Sequence, residues 1–310
     1  MTALRPTHTP SPTPLPSPTE PVAEPVAEPV TGVVTATSRP RHLLVAAVAM
    51  FLLPWLVWGS AIAQAHDVIG WRLPQGIALW VLTPSVVVAA LALGGRAGLA
   101  DLVRRIVRRP GPVWVYPVAV LVPLLIGAAT VGVSVALGRP LHLGETMSLG
   151  GCLVYLVYAV GLFLLTGGAG WTGLLLPRLQ ARLQPLAASV LLGLVWGLWH
   201  LPLLHVPGEK DAGLPFAAFL LLIVPTRVLM TAFVDATRGT VLVAAVFHAA
   251  FNATMTYTGV VGPDHALIWT AAVVTLVPAA VVAVVAEVRG VTGVTGRAAR
   301  RAPAGAAPSR

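Results

Sequence analysis

Apolar runs of about 20 residues, the length a lipid bilayer requires of a spanning helix at about 1.5 Å rise per residue, follow one another along most of this chain. They fall near 43–64, 75–95, 113–137, 149–175, 186–207, 214–234, 239–259 and 266–287. The joins between them are short, which excludes a separate soluble domain. The sequence therefore predicts an all-α, polytopic transmembrane bundle of about eight spans. Composition agrees, because only 10% of the residues are charged, against about a quarter in an average soluble domain.

Three segments follow from this pattern. Residues 1–40 are rich in Pro, Thr and Ser and include PVAEPVAEPV at Pro21 to Val30; with no apolar periodicity to offset the entropy of ordering, they read as a disordered cytoplasmic tail, and their start lacks the apolar core of a secretion signal. Residues 41–290 form the transmembrane domain, and 291–310 a basic C-terminal tail. With both termini inside, sixteen basic residues lie on the cytoplasmic side and only Arg72, Arg139 and Lys210 outside, as the positive-inside rule requires. The net charge of +9 is thereby explained by topology, with no aromatic and basic groove pattern that would suggest nucleic acid. The expected location is the cell membrane, multi-pass. The stretch Gly98 to Arg109, GLADLVRRIVRR, is either a basic amphipathic helix along the inner headgroups or a stop-transfer cluster. A single cysteine, Cys152, rules out an internal disulfide and a Cys-based zinc motif.

Ionisable and amide side chains inside a span are costly unless paired or hydrated, so His200, Arg227, His248 and Asn252 demand a role. His248 and Asn252 are four apart and share a helix face. Counted from the inner ends of their helices, His248 lies roughly 12 Å deep, His200 roughly 18 Å, and Gly167 roughly 12 Å, so one layer can hold all three. Imidazole is the commonest metal ligand, and His200 with His248 would supply half of a tetrahedral zinc site. The plainer reading is that His200, His248 and Asn252 hydrogen-bond across helices. A third is a small carrier with His200, Arg227 and His248 along a polar path.

The wording around these residues resembles the CPBP family of intramembrane metalloproteases, which includes the CAAX-processing prenyl endopeptidases and the Abi proteins. That family carries Glu-Glu-x-x-x-Arg, then aromatic-x-x-x-His, then His-x-x-x-Asn. Trp196 to His200 matches the second motif and His248 to Asn252 the third. GLLLPRLQARL at Gly173 to Leu183, HLPL at His200 to Leu203 and DATRGTVLVAAVFHAAFNAT at Asp235 to Thr254 match the surroundings, and the likeness runs over roughly 80–260.

The resemblance implies a glutamate that activates water, histidines and an asparagine that hold zinc or an oxyanion, and an arginine that orients a carboxylate. Aligned on TGGAGWTGLLLPR at Thr166 to Arg178, the glutamates fall on Gly167 and Gly168 and the arginine on Thr172. A positioned base is worth about 100 to 10,000-fold in rate, and a divalent cation among neutral imidazoles in a low dielectric lacks compensating charge. The expectation is a family member with reduced or no proteolysis and weak or absent zinc, acting on a membrane protein or prenylated peptide partner in the bilayer. Asp235 is the one acid weighed as a stand-in, since Glu145 and Glu287 lie near the ends of their segments. The alternative is an active metalloendopeptidase that uses His200, His248 and Asn252. Loss of both signs of charge leaves a neutral helix, in which Gly167, Gly170 and Gly173 would serve close packing.

Overall fold

The computed structural model describes residues 40–108, 111–262 and 265–288. The tails expected at 1–40 and 291–310 lie outside the described residues, apart from Pro40, which opens the first helix. Among the described residues the chain is all helical, without strands. The α-helices are α1 (Pro40–Ala65), α2 (Leu82–Val107), α3 (Val115–Ala136), α4 (Leu149–Leu165), α5 (Leu176–Gln180), α6 (Pro185–Trp199), α7 (Phe216–Ala236), α8 (Val241–Tyr257) and α9 (His265–Val288), with a π-helical segment at Gly168–Leu175 between α4 and α5.

Each of the eight apolar runs is helical. Six helices are long and apolar enough to cross a membrane; α4 and the segment Gly168–Gln180 make a seventh if the pair, bent by 42°, is one span; α8 is apolar but only 17 residues long. The bend lies at Thr166 (φ −107°, ψ −104°), where α4 ends. A π-helix closes wider rings than an α-helix and is rare beyond a single turn. Here it runs through the three glycines of GAGWTGLL, the residues that oppose such backbone least.

Local chemistry sets the other boundaries. Ser148 caps α4 by accepting from the Gly151 N–H at 3.2 Å. Pro185 opens α6, a position where a missing N–H costs nothing. Gly239 (φ 92°) closes α7, with its N–H on the Val234 carbonyl at 2.8 Å. Gly95 (φ 58°, ψ −151°) interrupts α2, so the basic stretch after it turns away from the apolar span; Asp101 there pairs with Arg105 at 2.8 Å and with Arg104 at 3.4 Å.

The interior is largely apolar, as in a soluble protein, but so is the outer surface. Large aliphatic side chains such as Val154, Val157, Val277 and Val281 face outward, while Arg227, Thr226, Thr231 and Thr275 are buried. Outward apolar surface suits lipid, and the buried hydroxyls satisfy themselves on carbonyls one turn back, as Thr226 does on Leu222 at 2.7 Å. Helix α8 occupies the centre, against α3, α4 and α7. Its alanines and glycine-free small face (Ala244, Ala245, Ala249) are fully buried, which is how helices approach closely without an aqueous driving force.

Candidate functional site

A cavity of about 260 Å³ opens between α2, α4, the π-helical segment, α6, α7 and α8. His200, His248 and Asn252 all face it, as do Gly167, Trp171 and Trp196. The volume lies just below the range of about 300–1,000 Å³ usual for small-molecule sites.

Aromatic rings fix both imidazoles. His248 stacks on Phe163 with centroids 3.8 Å apart and planes at 14°. Trp196 meets His200 at 5.3 Å and His248 at 5.1 Å, edge to face in each case. Trp199 packs edgewise on His200 at 4.8 Å. His200 Nδ1 donates to the Trp196 carbonyl at 2.8 Å, which makes Nε2 the acceptor nitrogen available to the cavity. Asn252 Nδ2 donates to the His248 carbonyl at 3.2 Å, one turn back in α8.

The segment that bears Gly167, Gly168 and Thr172 differs position by position. A Cβ on Gly167 would meet only Trp171, 3.4 Å from Cδ1 and 3.6 Å from Nε1, both ordinary contacts. A Cβ on Gly168 would collide with the Phe163 carbonyl oxygen and press on Val241 at 3.3 Å. Gly170 lies against Met50 and Val86, and Gly173 against Leu102, with would-be contacts of 2.7–2.8 Å. Thr172 is buried, and its hydroxyl accepts from Arg227 Nη1 at 3.0 Å.

That arginine comes from α7, 55 residues along the chain. It is 1% exposed, its Nε and Nη2 have no hydrogen-bond partner, and no carboxylate pairs with it among the described residues. Ile223, one turn earlier in α7, lines the cavity. The guanidinium is thus a buried charge held by Thr172, and Arg227 is not itself among the residues that line the cavity. Sequence reading missed this contact, since a hydrogen bond between distant helices leaves no trace in spacing.

Carboxylates are distributed at the two ends of α7. Asp235 accepts from Gln180 Nε2 at 3.0 and 3.3 Å and is not among the residues that line the cavity. Glu209, Lys210 and Asp211, from the loop before α7, do line it. Asp211 is 8% exposed and bound by Lys210 Nζ at 3.0 Å. The sequence reading used Lys210 only for topology and did not weigh Glu209 and Asp211 at all, although their place a few residues after His200 was the available signal.

The side chains in direct contact with the two imidazole rings are aromatic, from Phe163, Trp196, Trp199 and Phe219. Among the described residues, no group of three His, Cys, Asp or Glu side chains comes together as a metal site. Two neutral imidazoles with no third His, Cys, Asp or Glu grouped with them among the described residues do not fit a divalent ion, whose charge they leave uncompensated in a low dielectric.

Two comparisons bear on the site. Residues 152–254 match the family described as type II CAAX prenyl endopeptidase Rce1-like. The chain is also similar to "CAAX prenyl protease 2" of Methanococcus maripaludis, 30% identical over 89 residues, which are 27% of this chain and 33% of the relative. The match therefore spans about a third of that relative's length.

Proposed function

We infer, for a membrane chain whose residues 152–254 match the Rce1-like type II CAAX prenyl endopeptidase family, a protein of the cell membrane that binds a membrane-borne ligand in this cavity and has reduced or no proteolytic activity. One observation carries the reading: positions 167 and 168 have no side chain, and the hydroxyl at 172 is engaged by Arg227. Water bound near His200 and His248 thus has no carboxylate from positions 167 and 168 to act as its general base, and a positioned base is worth about 100 to 10,000-fold in rate. The aromatic walls and the fixed imidazoles, in contrast, still suit an apolar chain with a polar end, such as a prenylated peptide. Zinc affinity is low on this account, because no carboxylate joins the two histidines as a third ligand among the described residues.

Metal analysis of the full chain, purified without chelator and then titrated with zinc, tests the reading. Substoichiometric zinc that is unchanged by His248→Ala is expected. One equivalent of zinc that disappears in that variant contradicts it.

A second reading, an active endopeptidase, is favoured by Glu209 and Asp211, which bring carboxylates to the cavity wall. Against it, Asp211 is tied to Lys210. Peptide cleavage that is lost in Asp211→Asn and kept in Asp235→Asn would decide for this second reading.

A further inference from the structure

We propose that this cavity is a well filled from the outer face of the membrane, between the Gln75–Gly76 turn and the loop at 207–213, and that it takes an amphiphile whose ammonium head rests at Glu209 while its apolar chain lies among the rings. The proposal rests on the reading that the cavity binds a membrane-borne ligand, and narrows it.

Contacts between helix ends sort the molecule into two faces. On one, a Cβ on Gly111 would fall against Thr237, and a Cβ on Gly239 would lie 3.8 Å from Arg105 Nη1 and 3.9 Å from Arg108 Nη1. On the other, Gly259 lies against His142, Arg139 Nη1 donates to the Ala266 carbonyl at 3.0 Å, and Gly213 faces the His265 ring. The first face carries the arginines at the end of α2, in α5 and in the turn after α7, so the positive-inside rule makes it cytoplasmic.

The cavity opens on the second face. Gln75 lies before α2, Glu209 before α7, Met255 in the last turn of α8 and Ile268 in the first turn of α9, and all four line it. Gly76, which also lines it, is exposed, and Glu209 and Lys210 are half-buried. The opposite end is plugged. Trp171, Leu174 and Arg227 are at most 2% exposed there, and neighbours fill the space at Gly168, Gly170 and Gly173. A ligand therefore comes from the outer leaflet, and the packed end bars the cytoplasmic route.

Charge at the mouth selects the head group. Glu209, Lys210 and Asp211 are the lining residues that carry formal charge at neutral pH. Lys210 Nζ donates to both Asp211 oxygens, at 3.0 and 3.2 Å, so that pair cancels. Glu209 has no ion pair among the described residues, and its negative charge is left over. An ammonium complements it and can donate to it, whereas a carboxylate or phosphate head is repelled and a hydroxyl brings no opposite charge. Deeper in, the rings of Phe163, Trp196 and Phe251 offer the chain an apolar wall.

The single cysteine, Cys152, is buried, which opens the full chain to thiol mapping. In intact cells a membrane-impermeant maleimide is expected to label Pro207→Cys, and to label Arg182→Cys only after lysis; both positions are exposed. The opposite pattern, or labelling of both or neither in intact cells, overturns the outer-face assignment. The head group is tested on the full chain in zwitterionic nanodiscs, with radiolabelled hexadecylamine displaced by unlabelled hexadecylamine, hexadecanol or palmitic acid. Hexadecylamine is expected to compete about tenfold better than the other two, the scale of one charge-assisted hydrogen bond. Glu209→Gln should abolish that advantage and leave hexadecanol binding unchanged. Equal competition by the three, or an advantage that survives Glu209→Gln, overturns the head-group assignment. A chain that binds none of them contradicts the binding reading itself, whichever cysteine is labelled.

Discussion

Two walls of the cavity respond differently to the same apolar surroundings. On α6 and α8, His200 and His248 stand clamped between aromatic rings and face open space. On the segment after α4, neighbours lie where side chains would be, with the Phe163 carbonyl against Gly168, Met50 and Val86 against Gly170, and Leu102 against Gly173. The contrast shows that a glycine-rich backbone can itself be the packing surface. Among the glycines at 167, 168, 170 and 173, Gly167 alone has room for a Cβ at ordinary contact distance. Gly167 and Gly168 are therefore unequal: one accepts a side chain and the other is packed over.

Substitutions can break this comparison or sharpen it. The largest effect is expected for Gly168→Glu, in which a Cβ driven into a backbone carbonyl adds overpacking of about 1–3 kcal/mol or more to the penalty of a buried carboxylate. Little folded protein should be recovered, as size-exclusion yield would show; a normal yield would mean that the segment is softer than its contacts imply. Arg227→Met replaces an unpaired buried charge by an apolar chain of similar reach. Its melting temperature in detergent should be unchanged or raised, by up to about 1–4 kcal/mol of stability, and a fall would mean that the guanidinium has partners beyond Thr172. Thr172→Val strips Arg227 of the one side-chain acceptor it has among the described residues and should cost about 1–3 kcal/mol in the same melt. The smallest change is Gly167→Ala, whose helical φ and ψ (−59°, −39°) accept alanine. It should stabilise by about 0.4–1 kcal/mol through the unfolded chain, and destabilisation would show that the space beside it is already occupied.

How much of this was legible in the sequence varies with the range of the interaction. Span positions depend only on local hydropathy and length, and all eight apolar runs are helices. The rise per residue allowed His200 and His248 to share one layer, and with Asn252 they line one cavity. The π-helical backbone at Gly168–Leu175 did not, because the side-chain period of a glycine-rich run carries no trace of ring size. The Arg227 to Thr172 bond, and the place of Asp211 on the cavity wall, depend on how distant helices and loops pack, which spacing along one chain does not encode. Close packing was expected at Gly167, Gly170 and Gly173; the contacts place it at Gly168, Gly170 and Gly173, since the direction of each glycine hydrogen depends on the altered helical turn.

The most direct test of the central claim is cleavage of a farnesylated peptide by the full chain in nanodiscs, set beside its His248→Ala variant, which removes a ring that faces the cavity. The account predicts the same background rate for both; faster cleavage by the unaltered chain that disappears with His248→Ala would contradict it.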